Sequence, residues 1–173
     1  VLDNNLNHRN NYVVPLGVDS DIFYPRTNNS ETTTYLHVGK TEHRKSSHEI
    51  VKIFNKTFKH TDNVKLQLAW TSVFNSPNVQ AEWDRFAKSF PISPCVEVIP
   101  RLDSVVDVAE LMRNCDAVIS LSKAEGFNYP ILEGMASNKK VIATRCTAQT
   151  EFCDYSNCYL VDVDKKIIAN DGV

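Results

Sequence analysis

Two short stretches of this sequence carry side chains whose types and spacing could do chemistry. The first, Gly39-Lys40-Thr41-Glu42-His43-Arg44-Lys45, sets three cations, Lys40, Arg44 and Lys45, within six residues, after the apolar run TTYLHV and ahead of a helix-like segment. Cations beside the amides that open a helix attract a phosphate or diphosphate, although such a loop is equally at home as a solvated surface. The second, Lys123-Ala124-Glu125-Gly126-Phe127-Asn128-Tyr129-Pro130, follows the run DAVISLS and leads to Glu133 in the first turn of the next helix. Gly126 permits close approach of the backbone to a ligand, and the free amides of this turn can hold an anion. A carboxylate that accepts two hydrogen bonds matches a vicinal diol. Two of them, Glu125 and Glu133, around a diphosphate suit a nucleotide-sugar, with one diol on the ribose and one on the sugar. The alternative is that Glu125 is a loop surface charge and Glu133 stabilises its helix N-terminus.

The elements that must position these loops follow from apolar periodicity. TTYLHV (33–38) reads as a strand, and HEIVKIFNKTF (48–58) places Ile50, Val51, Ile53, Phe54 and Phe58 near helical spacing. VKLQLAW (64–70) alternates as a strand does, and VQAEWDRFAKSF predicts a helix. VEVIP (96–100) is a strand, SVVDVAELMRNC (104–115) a helix with Ser104 as N-cap, and DAVISLS (116–122) a buried strand. PILEGMAS (130–137) is a short helix with proline in its first turn; KVIAT (140–144) and CYLVD (158–162) close the series. Strands alternating with helices specify an α/β fold, a doubly wound, Rossmann-like parallel sheet. In such sheets ligands sit beyond the carboxyl ends of the strands, where both loops lie. Residues 1–31, including VVPLGVDSDIFYPRTNN, read as a strand and interdomain linker feeding a domain of residues 32–173.

Composition narrows the classes. A chain of 173 residues, 42% hydrophobic and 23% charged, is an ordinary globular domain, and its net charge of −2 argues against a broad nucleic-acid surface. No apolar run approaches the roughly 20 residues of a membrane span. The polar start is neither a signal nor a transit peptide. Without an initiator methionine, and ending on IIANDGV, the sequence reads as a piece of a longer protein. Five cysteines with no CxxC pair read as reduced thiols of a cytoplasmic protein. The acids of DSD (19–21) and DVD (162–164) read as surface charges rather than a metal site, and His43 and His48 lack the partners zinc needs. His37 reads as a core or crevice side chain, and Trp70 and Trp83 as packing. Phe127 and Tyr129 either pack on a ligand or anchor their loop.

The residues also resemble a family. EGFNYPILE is similar to the E-x7-E motif of the family-4 retaining glycosyltransferases, which have the two-domain GT-B fold. VVPLGVDSDIFYP resembles their linker signature, and HVGKTEHRKSSHEIVKIFNKTF their lysine-loop segment. CDAVISLSKAEGFNYPILEGMASNKKVIAT resembles their longest signature, and TEF (150–152) their Pro-Glu loop. The likeness spans nearly the whole chain and is to the C-terminal, donor-binding half. It implies that Lys40 and Lys45, with Arg44 and Gly39 beside them, bind the donor's diphosphate and stabilise the leaving group. Glu125 and the amides of Gly126, Phe127 and Asn128 would hold the transferred sugar and the distal phosphate. Glu133 would take the ribose hydroxyls, and Arg101 and Leu102 would border the base. Lys45, Glu125 and Lys40 would be the catalytic groups, with no metal and no cofactor besides the donor substrate. The acceptor, a glycan, lipid or other hydroxyl, would come through an N-terminal domain. Membrane contact of a whole protein stays open, nucleic acid is no partner, and the 173-residue chain alone would bind donor weakly and transfer nothing. Three departures stand out: Lys40 where arginine is commoner, Ser46 where glycine often follows the lysine, and Cys146-Thr147-Ala148 in place of a glycine-rich turn. The competing readings are a nucleotide-sugar 2-epimerase-like GT-B isomerase and a non-catalytic nucleotide-binding module.

Overall fold

The apolar runs pair into one sheet in a computed structural model, which describes residues 12, 14–40, 42–70, 93–100 and 102–165, with positions 81, 84 and 88. The described elements are β1 (Thr33–Gly39), α1 (Ser47–Thr57), β2 (Val64–Trp70), β3 (Val96–Ile99), α2 (Val105–Asn114), β4 (Ala117–Ser120), α3 (Tyr129–Ala136), β5 (Lys140–Thr144) and β6 (Tyr159–Val161). The six strands are all parallel and lie in the order β3-β2-β1-β4-β5-β6. The doubly wound sheet expected from the pattern is therefore the observed one. Strand order reverses between β1 and β4, the point beyond whose carboxyl ends ligands sit in open sheets of this kind.

Alternation along the strands sends side chains to two covered faces. Ile50, Val51 and Phe54 of α1 pack on Leu66 and Leu68, with Tyr35 against them. On the opposite face Leu36 and Val118 meet Ala109 and Met112 of α2, and Ile131 of α3 meets Val141 and Ala143. Ile53 departs from the expected stripe and is 53% exposed. At about 100° per residue it lies on the flank of the arc defined by positions 50, 51, 54 and 58. Ser104 caps α2 as expected, its side chain accepting from the Val106 amide. Of the helix expected over VQAEWDRFAKSF, Ala81, Asp84 and Lys88 are helical and the rest lies outside the described residues.

The strand expected within residues 1–31 does not form among the described residues of that segment. Residues 14–32 instead run as irregular chain. Phe23 is buried against the α2 face, and Arg26 pairs with Glu110.

Helix α3 sits unusually close to β4. A Cβ added at Gly134 would stand 2.8 Å from Val118 Cγ2. Overpacking costs about 1–3 kcal/mol, more than the roughly 1 kcal/mol alanine gains over glycine in a helix. Gly134→Ala is expected to lower the urea midpoint with an unchanged slope; an unchanged or higher midpoint would mean that Val118 moves aside without cost.

Candidate functional site

β1 ends at Gly39, and a 3₁₀ turn, His43–Lys45, folds the following residues back before α1 begins. The turn closes on Ser46, whose φ of 56° is left-handed, and Lys45 is left buried. Lys45 Nζ meets Glu125 Oε1 at 2.5 Å, and Arg44 meets the second oxygen, Oε2, at 3.0 Å. Arg44 also donates to Ala124 O at 2.6 Å and to Glu42 Oε2 at 2.8 Å. The Lys123 amide donates to Arg44 O, so the two loops singled out by sequence are joined along backbone and side chain. Burial raises the Glu125 carboxyl, but hydrogen bonds from Lys45 and Ser122 and the charges of Lys45 and Arg44 outweigh it and hold it below the usual range. Lys40 lies nearer solvent, 3.8 Å from Glu42 Oε1.

His37 reaches this cluster from β1. Its ring is fully buried, with Nδ1 2.9 Å from Ile119 O and Nε2 2.9 Å from Ser47 Oγ. A carbonyl only accepts, so Nδ1 carries the proton and Nε2 accepts from the serine hydroxyl. Burial pushes its pKa down to about 4, which the bond to Ile119 opposes and the Lys45 charge assists. A neutral imidazole thus ties β1, β4 and the first turn of α1 together behind the lysine. Both groups crowd Gly39, where a Cβ would stand 3.4 Å from His37 Nε2 and 3.6 Å from Lys45 Cδ.

The second loop is fastened from below. Asn128, at φ 77°, caps α3 and donates from Nδ2 to Ser120 Oγ at 3.1 Å and to Gln149 Oε1 at 3.2 Å. Gln149, fully buried, donates in turn to Thr144 O at 2.7 Å. Phe127 packs edge-on against Tyr129 and lies 5.3 Å from Phe152, so it anchors the loop. Among the described residues, the amides of Gly126, Phe127 and Asn128 have no acceptor.

Glu133 is the fifth residue of α3, in its second turn rather than its first, because Asn128 and not Tyr129 is the cap. It is half-buried, and no donor among the described residues reaches its carboxylate. Burial alone pushes its pKa up to about 7. Leu102 is half-buried just before α2; Arg101, Trp83 and the side chain of Trp70 lie outside the described residues. One acid of each of DSD and DVD is engaged locally: Asp19 accepts from the Asp21 amide, and Asp162 accepts from Arg145 and Tyr155. Among the described residues no cluster of His, Cys, Asp or Glu has the makings of a metal site, and no helix is long and apolar enough to cross a membrane. All five cysteines are free thiols. Sequence reasoning missed Thr147 and Gln149 as parts of the site and left His37 between core and crevice. The only signals were a histidine inside an apolar strand and the loss of a glycine-rich turn at Cys146-Thr147-Ala148.

A parallel sheet of this order, with cations and carboxylates gathered at its switch point, has the architecture of the C-terminal half of GT-B glycosyltransferases. The chain belongs to the family Glycosyl transferases group 1, whose model matches residues 32–171. Among solved structures, the C-terminal domain of the glycosyl transferase group 1 family protein LpcC from Francisella tularensis is 25% identical, with a TM-score of 0.71 over 86% of this chain and 81% of that one. Anabaena HepE in complex with UDP-glucose is 18% identical, with a TM-score of 0.70 over 86% of this chain and 43% of that one. Sucrose-phosphate synthase from Thermosynechococcus elongatus is 17% identical, with a TM-score of 0.73 over 87% of this chain and 39% of that one. The chain therefore spans less than half the length of the last two, whose likeness is one of fold. Among curated proteins no match was found.

The Glu133 pKa sets a stability test. Its folded value, about 7, lies above the ordinary glutamate value of 4.5, so its contribution is complete below pH 4.5 and is lost as pH rises through 7. His37 has the opposite slope, gaining stability as pH rises from about 4 to 6.5, so variants must be compared at one pH. Glu133→Gln is expected to match the parent at pH 4.5 and to melt about 2–4 °C higher at pH 8, the shift of roughly 1 kcal/mol in a domain of this size. Equal melting points at pH 8 would show that the carboxylate is solvated.

Proposed function

We propose that the chain is the donor-binding domain of a family-4 retaining glycosyltransferase, which moves a hexosyl unit from a nucleotide-diphosphate sugar to a hydroxyl acceptor in the cytoplasm without a protein-bound metal. The observation that carries this reading is the set of groups at the switch point. Lys45 and Arg44 grip one carboxylate beside three amides with no acceptor among the described residues, and Glu133 is half-buried without a donor among them. Each is a group with a capacity that a diphosphate or a diol would fill.

The chemistry is electrostatic. As the bond between the sugar and the phosphate oxygen breaks, negative charge grows on the departing nucleoside diphosphate. Lys45, Arg44 and Lys40 supply fixed positive charge at that point, which lowers the barrier when it complements the transition state more strongly than the ground state. The amides of Gly126, Phe127 and Asn128 add partial positive charge at the start of α3. Glu133 accepts from the ribose hydroxyls, and Glu125 orients the cations and the transferred sugar. Retention is supported by the E-x7-E resemblance alone. The acceptor would be bound by a further domain, in keeping with the chain spanning 43% of HepE. The UDP-glucose complex of HepE makes a uridine diphosphate sugar the first donor to test.

Calorimetric titration of the chain with UDP, GDP, ADP and their sugar conjugates tests the reading. One nucleotide is expected to bind, and Glu133→Ala to weaken it by about 1–3 kcal/mol, the scale of a lost buried hydrogen-bonding partner. Absence of binding at millimolar concentration, or binding indifferent to Glu133→Ala, would overturn it.

A further inference from the structure

Backbone strain is concentrated around this site. The described non-glycine residues with positive φ are Ser46, Asn128, Asn138 and Thr147. Asn138 follows the end of α3, where asparagine commonly takes this conformation; the other three stand on the segments that build the crevice. Ser46 and Asn128 are small or tolerant of the left-handed region. Thr147 is neither, because a β-branched residue at φ 55° crowds its own backbone. Such a conformation persists only where its surroundings over-determine it. Here Gln149 pins the 3₁₀ turn Thr147–Glu151 through Thr144, and Thr150 Oγ1 donates to Thr147 O at 2.7 Å.

The strained residue touches the centre of the site. Thr147 Oγ1 accepts from the Glu125 amide at 2.9 Å, and the Ala148 amide donates back to Glu125 O at 3.4 Å. These two bonds clamp the residue whose carboxylate holds Lys45 and Arg44. We propose that Thr147 is a positioning residue, which keeps a strained backbone so that its hydroxyl can fix Glu125 and hold the Gly126–Asn128 turn open toward a donor phosphate. A glycine at this position would relieve the strain and lose the hydroxyl. Stability and site geometry should therefore respond to that substitution with opposite signs, which a purely structural residue would not do. The phosphate half of the statement rests on the donor-site reading; the clamp on Glu125 does not.

The experiment follows the Glu125 carboxyl by carbon-13 NMR titration of the 173-residue chain, its signal assigned by its loss in Glu125→Gln. Melting and nucleotide titration are measured on the same samples. Thr147→Gly is expected to melt about 2–4 °C higher, on the scale expected for a domain of this size. Its Glu125 titration should move up toward that of a free glutamate, and nucleotide affinity should fall roughly 3- to 10-fold, the scale of one hydrogen bond. Thr147→Ser keeps the hydroxyl and should titrate and bind as the parent does; Thr147→Val, strained and without the hydroxyl, should lose both stability and the low Glu125 titration. Asn138→Gly, which relaxes a left-handed residue away from the crevice, should leave Glu125 unchanged. An unmoved Glu125 titration in Thr147→Gly and Thr147→Val, or a serine variant as defective as the valine one, would overturn the proposal. If the parent chain binds no nucleotide, the donor-site reading falls, while the carboxyl titration still decides whether Thr147 positions Glu125.

Discussion

One carboxylate governs the centre of this molecule. Glu125, its side chain 7% exposed, carries a cation on each oxygen, Lys45 on one and Arg44 on the other. A buried charge without partners is strongly unfavourable, and breaking a buried pair leaves that penalty in place. The loops after β1 and β4 are therefore held to each other, and the details around them serve that meeting. Ser46 in the left-handed region turns Lys45 inward, the neutral His37 ring ties β1 to β4 and the first turn of α1, and the Thr147 hydroxyl accepts from the Glu125 amide.

The crevice also separates the charge states of its ionisable groups by environment. Glu125 is kept ionised by its cations, Glu133 is pushed toward neutrality by burial with no compensating donor among the described residues, and His37 is held neutral by burial. A protonated His37 would set a second cation against Lys45. A fully satisfied Glu133 would have no capacity left for a hydroxyl-rich ligand. Local backbone and burial rules are broken here more than elsewhere among the described residues, the pattern of a functional or strained site.

Much of the fold was legible because apolar periodicity reports directly which side of an element is covered. β1, β2 and β5 fall within a residue of the expected runs, and Ser104 caps α2 as its type suggested. Ile53 was misread because hydrophobicity alone does not say where the buried arc ends.

By itself the sequence determined the element types, the alternation that makes a doubly wound sheet, and which residues, Lys40, Arg44, Lys45, Glu125 and Glu133, are of types and spacing able to do chemistry. The tertiary structure decided how those residues act on one another. Lys45 and Glu125 are 80 positions apart, and only the strand order, which sets β1 beside β4, brings them to 2.5 Å. The neutrality of His37, the raised pKa of Glu133 and the strain at Thr147 were likewise invisible, since each depends on burial or on a partner distant in the chain. Side-chain type is local, whereas solvation and pairing are properties of the packed molecule.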